Sequence, residues 1–217
     1  KQAEELGDKL CMGWSLLGIG SIYIEKGDYD KALDYFTRSL ETLEGLGDKS
    51  GIGHSLGRIG GVYFFKGDYT KALDYFDKSL NIAEELCDKS GIGHVLGSIG
   101  HVCREKGDYD KALNYYSRPL RIFEEIGDKT GIGLTLQGIG FVYHDKGNFE
   151  KALGYFTRSL ELFEELGEKS EISSDLGFIG MVHYEKGNYK KAEEYLEKSL
   201  VIKRKLEMVA YLHYGQL

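Results

Sequence analysis

The sequence predicts an all-α solenoid of five helix-turn-helix units, and three observations carry that prediction. The phrase GDYDKALDYF at residues 27–36 returns as GDYTKALDYF from Gly67, GDYDKALNYY from Gly107, GNFEKALGYF from Gly147 and GNYKKAEEYL from Gly187. Every step is 40 residues with no insertion or deletion, and a period between 20 and 50 marks a stacked repeat. Within each copy the apolar residues recur at helical spacing, as in Ile52, Leu56, Ile59 and Tyr63.

The second copy, residues 48–87, shows how each element follows. Asp48 stands where an N-cap is needed and Gly67 where a helix ends in the left-handed conformation. Asp68 caps a second helix whose apolar positions are Leu73, Phe76, Leu80 and Ala83, with Leu86 near its end. Cys87 occupies the post-helix position held by Gly47 one copy earlier. Four columns never vary: Leu56, Ile59, Gly60 and Ala72 with their equivalents at 40-residue steps. A mid-helix glycine costs roughly 1 kcal/mol relative to alanine, so Gly60 and Ala72 mark places where two helices approach too closely for a side chain. The phrase GIGHSLGRIGG has no preceding strand and recurs whole, which argues against a phosphate-binding loop.

These columns resemble the tetratricopeptide repeat, whose pattern is W-x2-L-G-x2-Y, then A-x3-F, then P. Leu56 stands at the W position, Ile59, Gly60 and Tyr63 follow in register, and Ala72 and Phe76 supply A-x3-F. Glu84 holds the proline position, so the second helix runs on and the repeat is 40 residues long. The longer form is similar to the repeats of Pins-type spindle-orientation adaptors, and to those of peptide-sensing bacterial regulators and signalling NTPases. The resemblance implies a right-handed superhelix whose first helices line a concave groove for a peptide or helix.

The division that follows is residues 8–47, 48–87, 88–127, 128–167 and 168–206 as repeats 1 to 5. Residues 1–7 read as the end of a preceding second helix, because KQAEELGDK matches RIFEEIGDK at 121–129. Residues 207–217 read as a helical extension in which Met208, Val209, Tyr211 and Leu212 cap the core edge. The chain is accordingly expected to be a fragment of a longer array or multidomain protein.

The groove implied by the resemblance is lined by columns that vary between copies: Trp14, His54, His94, Leu134, Ser174; Gly18, Arg58, Ser98, Gly138, Phe178; Ser21, Gly61, His101, Phe141, Met181; and Ile24, Phe64, Arg104, His144, Tyr184. His54, Arg58, His94, His101 and Arg104 place basic or titratable groups on repeats 2 and 3. Phe141, Phe178, Met181 and Tyr184 form an apolar patch on repeats 4 and 5, beside His144. The expected partner is a protein or peptide, acidic with an apolar anchor. None of these columns holds an asparagine, which argues against grip on a terminal carboxylate. The function expected is therefore a protein–protein interaction scaffold. The alternative is a structural or regulatory spacer of a larger protein, self-associating end to end through cut repeat edges.

Other classes are disfavoured. The net charge of −7 and the lack of a concentrated basic surface argue against nucleic acid. There is no membrane-spanning run or signal peptide, and three cysteines without CxxC spacing suit a reducing, cytoplasmic setting. His94 and His101 lie two helical turns apart, roughly 10 Å along the axis, too far to share a metal ion. No cofactor, metal or enzymatic activity is expected. Lys26, Lys66, Lys106, Lys146 and Lys186 meet the negative ends of the first helices. Tyr35, Tyr75, Tyr115, Tyr155 and Tyr195 are expected to pack between repeats, Cys103 to be a packed thiol in a tyrosine's place, and Pro119 to kink its helix.

Overall fold

The computed structural model describes residues 2–214, with side chains described for residues 7–208. All ten elements among the described residues are α-helices. The chain divides into two compact units, Lys1–Lys106 and Gly107–Leu217. The first holds α1 (Gln2–Glu25), α2 (Tyr29–Leu46), α3 (Lys49–Phe65), α4 (Tyr69–Glu85) and α5 (Lys89–Glu105). The second holds α6 (Tyr109–Ile126), α7 (Lys129–Asp145), α8 (Phe149–Leu166), α9 (Lys169–Glu185) and α10 (Tyr189–Tyr214). In each unit consecutive helices pack on one another, as α1 on α2, α2 on α3 and α3 on α4, and likewise α6 on α7 through α9 on α10.

The turns are made by glycine where the sequence places it. Gly27, Gly67, Gly107, Gly147 and Gly187 have φ between +71° and +78°. At the α3–α4 turn the Gly67 N–H donates to Phe64 O at 2.9 Å and the Asp68 N–H to Tyr63 O at 2.9 Å, which satisfies two end carbonyls of α3. The Asp68 side chain then accepts from Lys71 N at 3.2 Å and caps α4. After α4 the same left-handed position falls on Cys87, at φ +53°, where the equivalent Gly47, Gly127 and Gly167 sit at +70° to +72°. At the far end, Gly7 and Asp8 lie inside α1, which runs unbroken from Gln2 to Glu25. Of the residues expected to cap the core edge, Met208 is 60% exposed. The side chains of Val209, Tyr211 and Leu212 lie outside the described ones.

Apart from Ile19, which is exposed on α1, the invariant columns are buried, and the glycines for the expected reason. A Cβ placed on Gly20, Gly60 or Gly140 would come within 2.5 to 2.8 Å of the Phe36, Phe76 or Phe156 ring, and one on Gly180 within 2.8 Å of Leu196. The aromatic residue of the second helix thus rests on the bare backbone of the first. Ala32, Ala72, Ala112 and Ala152 are fully buried. Two columns that the periodicity did not single out are just as important. Val62, Val102, Val142 and Val182 are fully buried. Ser39, Ser79, Ser159 and Ser199 donate to the first-helix carbonyls of Gly13 at 2.7 Å, Gly53 at 2.8 Å, Gly133 at 3.1 Å and Ser173 at 2.6 Å. Pro119 takes this place in the third copy, buried and without a donor, and α6 continues through it as one helix. The tyrosine column stacks within a hairpin: Tyr35 on Tyr23, Tyr75 on Tyr63 and Tyr155 on Tyr143, with ring centroids 5.4 to 5.5 Å apart. Cys103 is buried and His183 lies on Tyr195, both in a tyrosine's position. The fixed lysines also reach the preceding second helix, Lys66 to Asp30 at 2.5 Å, Lys146 to Asp110 at 2.9 Å, and Lys186 to Glu150. These pairs are exposed, so each contributes little to stability.

One buried carboxyl breaks the pattern. Ser55, Val95 and Thr135 fill a buried column whose fifth copy is Asp175, with no exposed surface. Its Oδ1 accepts from Gln137 Nε2 at 3.0 Å, and Oδ2 is buried with no partner. Burial pushes the carboxyl up to about 6 and the neighbouring Glu171 adds to the rise, while hydrogen bonding to Ser159 and Gln137 opposes it.

Three outcomes follow from this packing. Replacing Cys87 by glycine relieves a left-handed side-chain clash and raises stability by about 0.5–1 kcal/mol in urea unfolding. Gly140→Ala drives a methyl into Phe156 and lowers stability by about 1–3 kcal/mol. For Asp175, the folded carboxyl holds its proton to about pH 6 and the unfolded one to about 3.8, so its contribution to stability falls as pH rises through that window. Asp175→Asn is therefore stabilising at pH 7.5, by on the order of 1–2 kcal/mol, and the gain shrinks toward zero near pH 4. Paired unfolding curves at the two pH values measure this, and an equal gain at both would refute the buried-carboxyl assignment.

Candidate functional site

Both units carry variable first-helix columns, and each is described by itself. On α3, His54 and Arg58 are one turn apart and both exposed. On α5, His94 and Ser98 occupy the same two columns. Between these helices the structure opens into a cleft of about 650 Å³, with Phe76, Ser79, Ile82 and Ala83 of α4 beneath it. That volume falls within the roughly 300–1,000 Å³ range of ligand pockets. The cleft thus has an apolar floor and a polar rim carrying His54, Arg58 and His94.

The rim is ordered by contacts that the sequence alone did not signal. Trp14, on α1, meets the His54 ring edge-on at 5.4 Å, and its indole N–H donates to Asp48 Oδ2 at 3.2 Å. Asp48 therefore stands at the N-cap of α3 without making the capping bond, whereas Asp88 and Asp128 accept from Gly91 N at 3.0 Å and Gly131 N at 2.9 Å. Arg58 makes no ion pair among the described residues, in a chain with 35 acidic side chains.

His101 and Arg104 belong to the same helix as His94 but do not line the cleft. Both are half-buried, and Arg104 pairs with the adjacent Glu105. Burial, reinforced by the Arg104 charge, pushes the His101 imidazole down to about 4, so this ring is neutral near pH 7. It does not add to the basic character expected of this surface.

In the second unit Phe141 and Phe178 come together as predicted. Their ring centroids are 4.6 Å apart, and both pack on the fully buried Phe156. Met181 is half-buried. Tyr184 is 61% exposed and its ring leans on Tyr189, which also stays largely exposed. His144 is held between Asp145 Oδ1 at 3.3 Å and Glu185 at 3.1 Å and lies beside Phe149. It is engaged with its own chain.

The sequence reading missed what makes the cleft. Along the column of Ala83 the other copies read Leu43, Phe123 and Phe163, all essentially buried, and then Lys203. The signal was present as one small residue among bulky ones. Among the described residues no group of three or more His, Cys, Asp or Glu side chains is placed to hold a metal ion, and no helix is long and apolar enough to cross a membrane.

Comparison with known proteins agrees with this architecture. A family model described as tetratricopeptide repeat matches residues 52–125 and 132–205, and a second of the same description matches residues 15–50. No curated protein matches the chain. Among solved structures, a Rap protein complexed with Competence and Sporulation Factor superposes with a TM-score of 0.83 at 18% identity, covering 93% of this chain and 56% of that one. The Rap conjugation gene regulator of the plasmid pLS20, in complex with the Phr* peptide, gives 0.82 at 20% identity, covering 96% and 60%. A signal-transduction ATPase with numerous domains and a tetratricopeptide repeat sensor, from Pyrococcus horikoshii, gives 0.72 at 23% identity, covering 94% and 32%. This chain therefore spans little more than half the length of the two Rap proteins and about a third of the ATPase. At these identities the likeness is one of fold, and the matched residues settle the family: the chain belongs to the tetratricopeptide repeats.

Proposed function

We propose that the chain is a non-catalytic protein-interaction scaffold that binds a peptide or protein segment on the first-helix face of its repeats. The observation that carries this reading is the cleft between α3 and α5, about 650 Å³, which opens where first-helix residues vary while the packing columns stay fixed. The basic rim suits an acidic segment, and the apolar floor suits an anchor within it. The exposed Tyr184 and the Phe141–Phe178 pair give the second unit an apolar surface of its own. The pLS20 regulator, a structural neighbour, is described in complex with a peptide, which supports a peptide as the ligand class. Three free cysteines, with Cys11 and Cys87 exposed, favour a reducing, cytoplasmic compartment.

The test is a random-peptide display selection on the chain, counter-selected with an Arg58→Glu, Tyr184→Ala variant. Acidic peptides with one apolar residue are expected to be enriched on the parent chain and to bind the variant at least tenfold more weakly. If no sequence is enriched, while light scattering shows the mass rising with concentration, the scaffold reading gives way to an end-to-end self-associating spacer.

A further inference from the structure

The cleft of the first unit is a core position that has lost its side chain. The column of Ala83 normally holds a wedge between two helices. Leu43 fills the space over Gly13 of α1 and over Gly51 of α3, where an added Cβ would lie 2.6 Å from its side chain in both cases. Phe163 does the same over Gly133, and Phe123 over Gly131, again at 2.6 Å. The glycines are bare because the wedge covers them. At the α3–α4–α5 junction the glycines remain but the wedge is an alanine. A Cβ on Gly91 would meet the capping carboxylate of Asp88 first, and of residue 83 only the Ala83 Cβ at 3.5 Å, ordinary contact where Leu43 and Phe123 come within 2.6 Å of the equivalent glycines. Gly53 is approached by Ile82 at 3.2 Å and not by residue 83. The neighbours have not closed over the gap, and the volume that Leu43 or Phe163 occupies elsewhere is part of the open cleft.

We infer that this vacated wedge site receives an apolar side chain of leucine or phenylalanine size from the ligand, and that Arg58 at the rim takes an acidic group close by on the same ligand. The inference rests on the scaffold reading and names where its anchor goes. The size follows from the column, since Leu and Phe are the residues that fill the equivalent space in the other copies. The charge follows from Arg58, which lines the cleft and has no carboxylate of its own chain paired with it among the described residues. A guanidinium binds a carboxylate through two parallel N–H donors, so the acidic group fixes orientation while the apolar one fills space. Asp88 also lines the cleft, where it caps α5 by accepting from Gly91 N–H at 3.0 Å. The apolar anchor expected of repeats 4 and 5 is thus joined by a second, better-formed receptor in the first unit.

Trp14 is the sole tryptophan and touches His54 on the rim, so its emission reports on occupancy. The probe is a set of glycine–serine octapeptides bearing one Phe and one Glu separated by one to four residues, with Phe→Ala and Glu→Gln controls. At least one Phe–Glu spacing is expected to titrate Trp14, and its Phe→Ala control to bind at least tenfold more weakly. Ala83→Phe restores the wedge and is expected to abolish the Phe dependence, with a melting temperature no lower than the parent's. Ala83→Leu is the smaller filler if the phenylalanine variant does not fold. Arg58→Gln is expected to erase the difference between the Glu and Gln peptides while leaving the Phe dependence in place. Phe-dependent binding that survives in Ala83→Phe or Ala83→Leu overturns the inference, as does the absence of any Phe dependence in the parent. Display-selected peptides that bind the filled variants as well as the parent overturn it too, yet leave the scaffold reading standing. An empty selection alongside Phe–Glu binding at Trp14 would do the reverse.

Discussion

Everything in this fold depends on how closely the two helices of a hairpin approach. Gly20, Gly60, Gly140 and Gly180 present bare backbone, and a phenylalanine or leucine of the second helix lies directly on it. A helix glycine is unfavourable by roughly 1 kcal/mol, yet here it admits a fully buried ring whose burial is worth about 1.5–3 kcal/mol. The serine column reinforces the same approach from the other side, because a hydroxyl reaches a first-helix carbonyl only when the backbones are near. Once the hairpin spacing is set, the turn follows: a left-handed glycine and an Asp or Asn cap are what a chain needs to reverse in so short a space. The 40-residue period is the sequence record of that geometry.

This explains which parts of the structure were legible. Constraints that repeat five times and act within a hairpin stand out in a sequence, so the glycine turns and the close-approach glycines were read with the right residues, while the rings that lie on those glycines, and the loss of the Asp48 cap, were not. The buried valines were hidden because they sit beside the core tyrosines and add a second stripe to a helix already assigned one. The serines were hidden because a polar residue reads as surface until its acceptor, 26 residues away, is known. Interactions that occur once were harder still. Nothing in the period says that Trp14 takes Asp48 from its capping role, or that His144 lies between two carboxylates. Each joins residues of different copies, and each uses a side chain found in one copy only.

The candidate site shows the same division. The sequence reading took the variable columns as one face and treated every position on it as equivalent. The structure separates them by environment. Arg58 and His54 stand at an open rim, whereas His101 is desolvated into its neutral form and Arg104 is paired with Glu105. Charge on this face is thus decided less by residue type than by the burial and pairing of each side chain.

Departures from the repeat are where this chain stops being generic, and they differ in what they do to stability. Asp175 places an ionisable group where Ser55, Val95 and Thr135 need none, and the burial that raises it is unfavourable to the folded state near pH 7. Ala83 removes volume where Leu43, Phe123 and Phe163 supply it, and a vacated core position is destabilising because the surrounding atoms lose contacts. The two defects are not alike. Asp175 is sealed, with Gln137 as its hydrogen-bond donor and no exposed surface, so no ligand reaches it. Ala83, though buried, lines the cleft beside Arg58. Under the proposal above, an apolar ligand side chain seated there would make the contacts that Leu43, Phe123 and Phe163 make in the other copies.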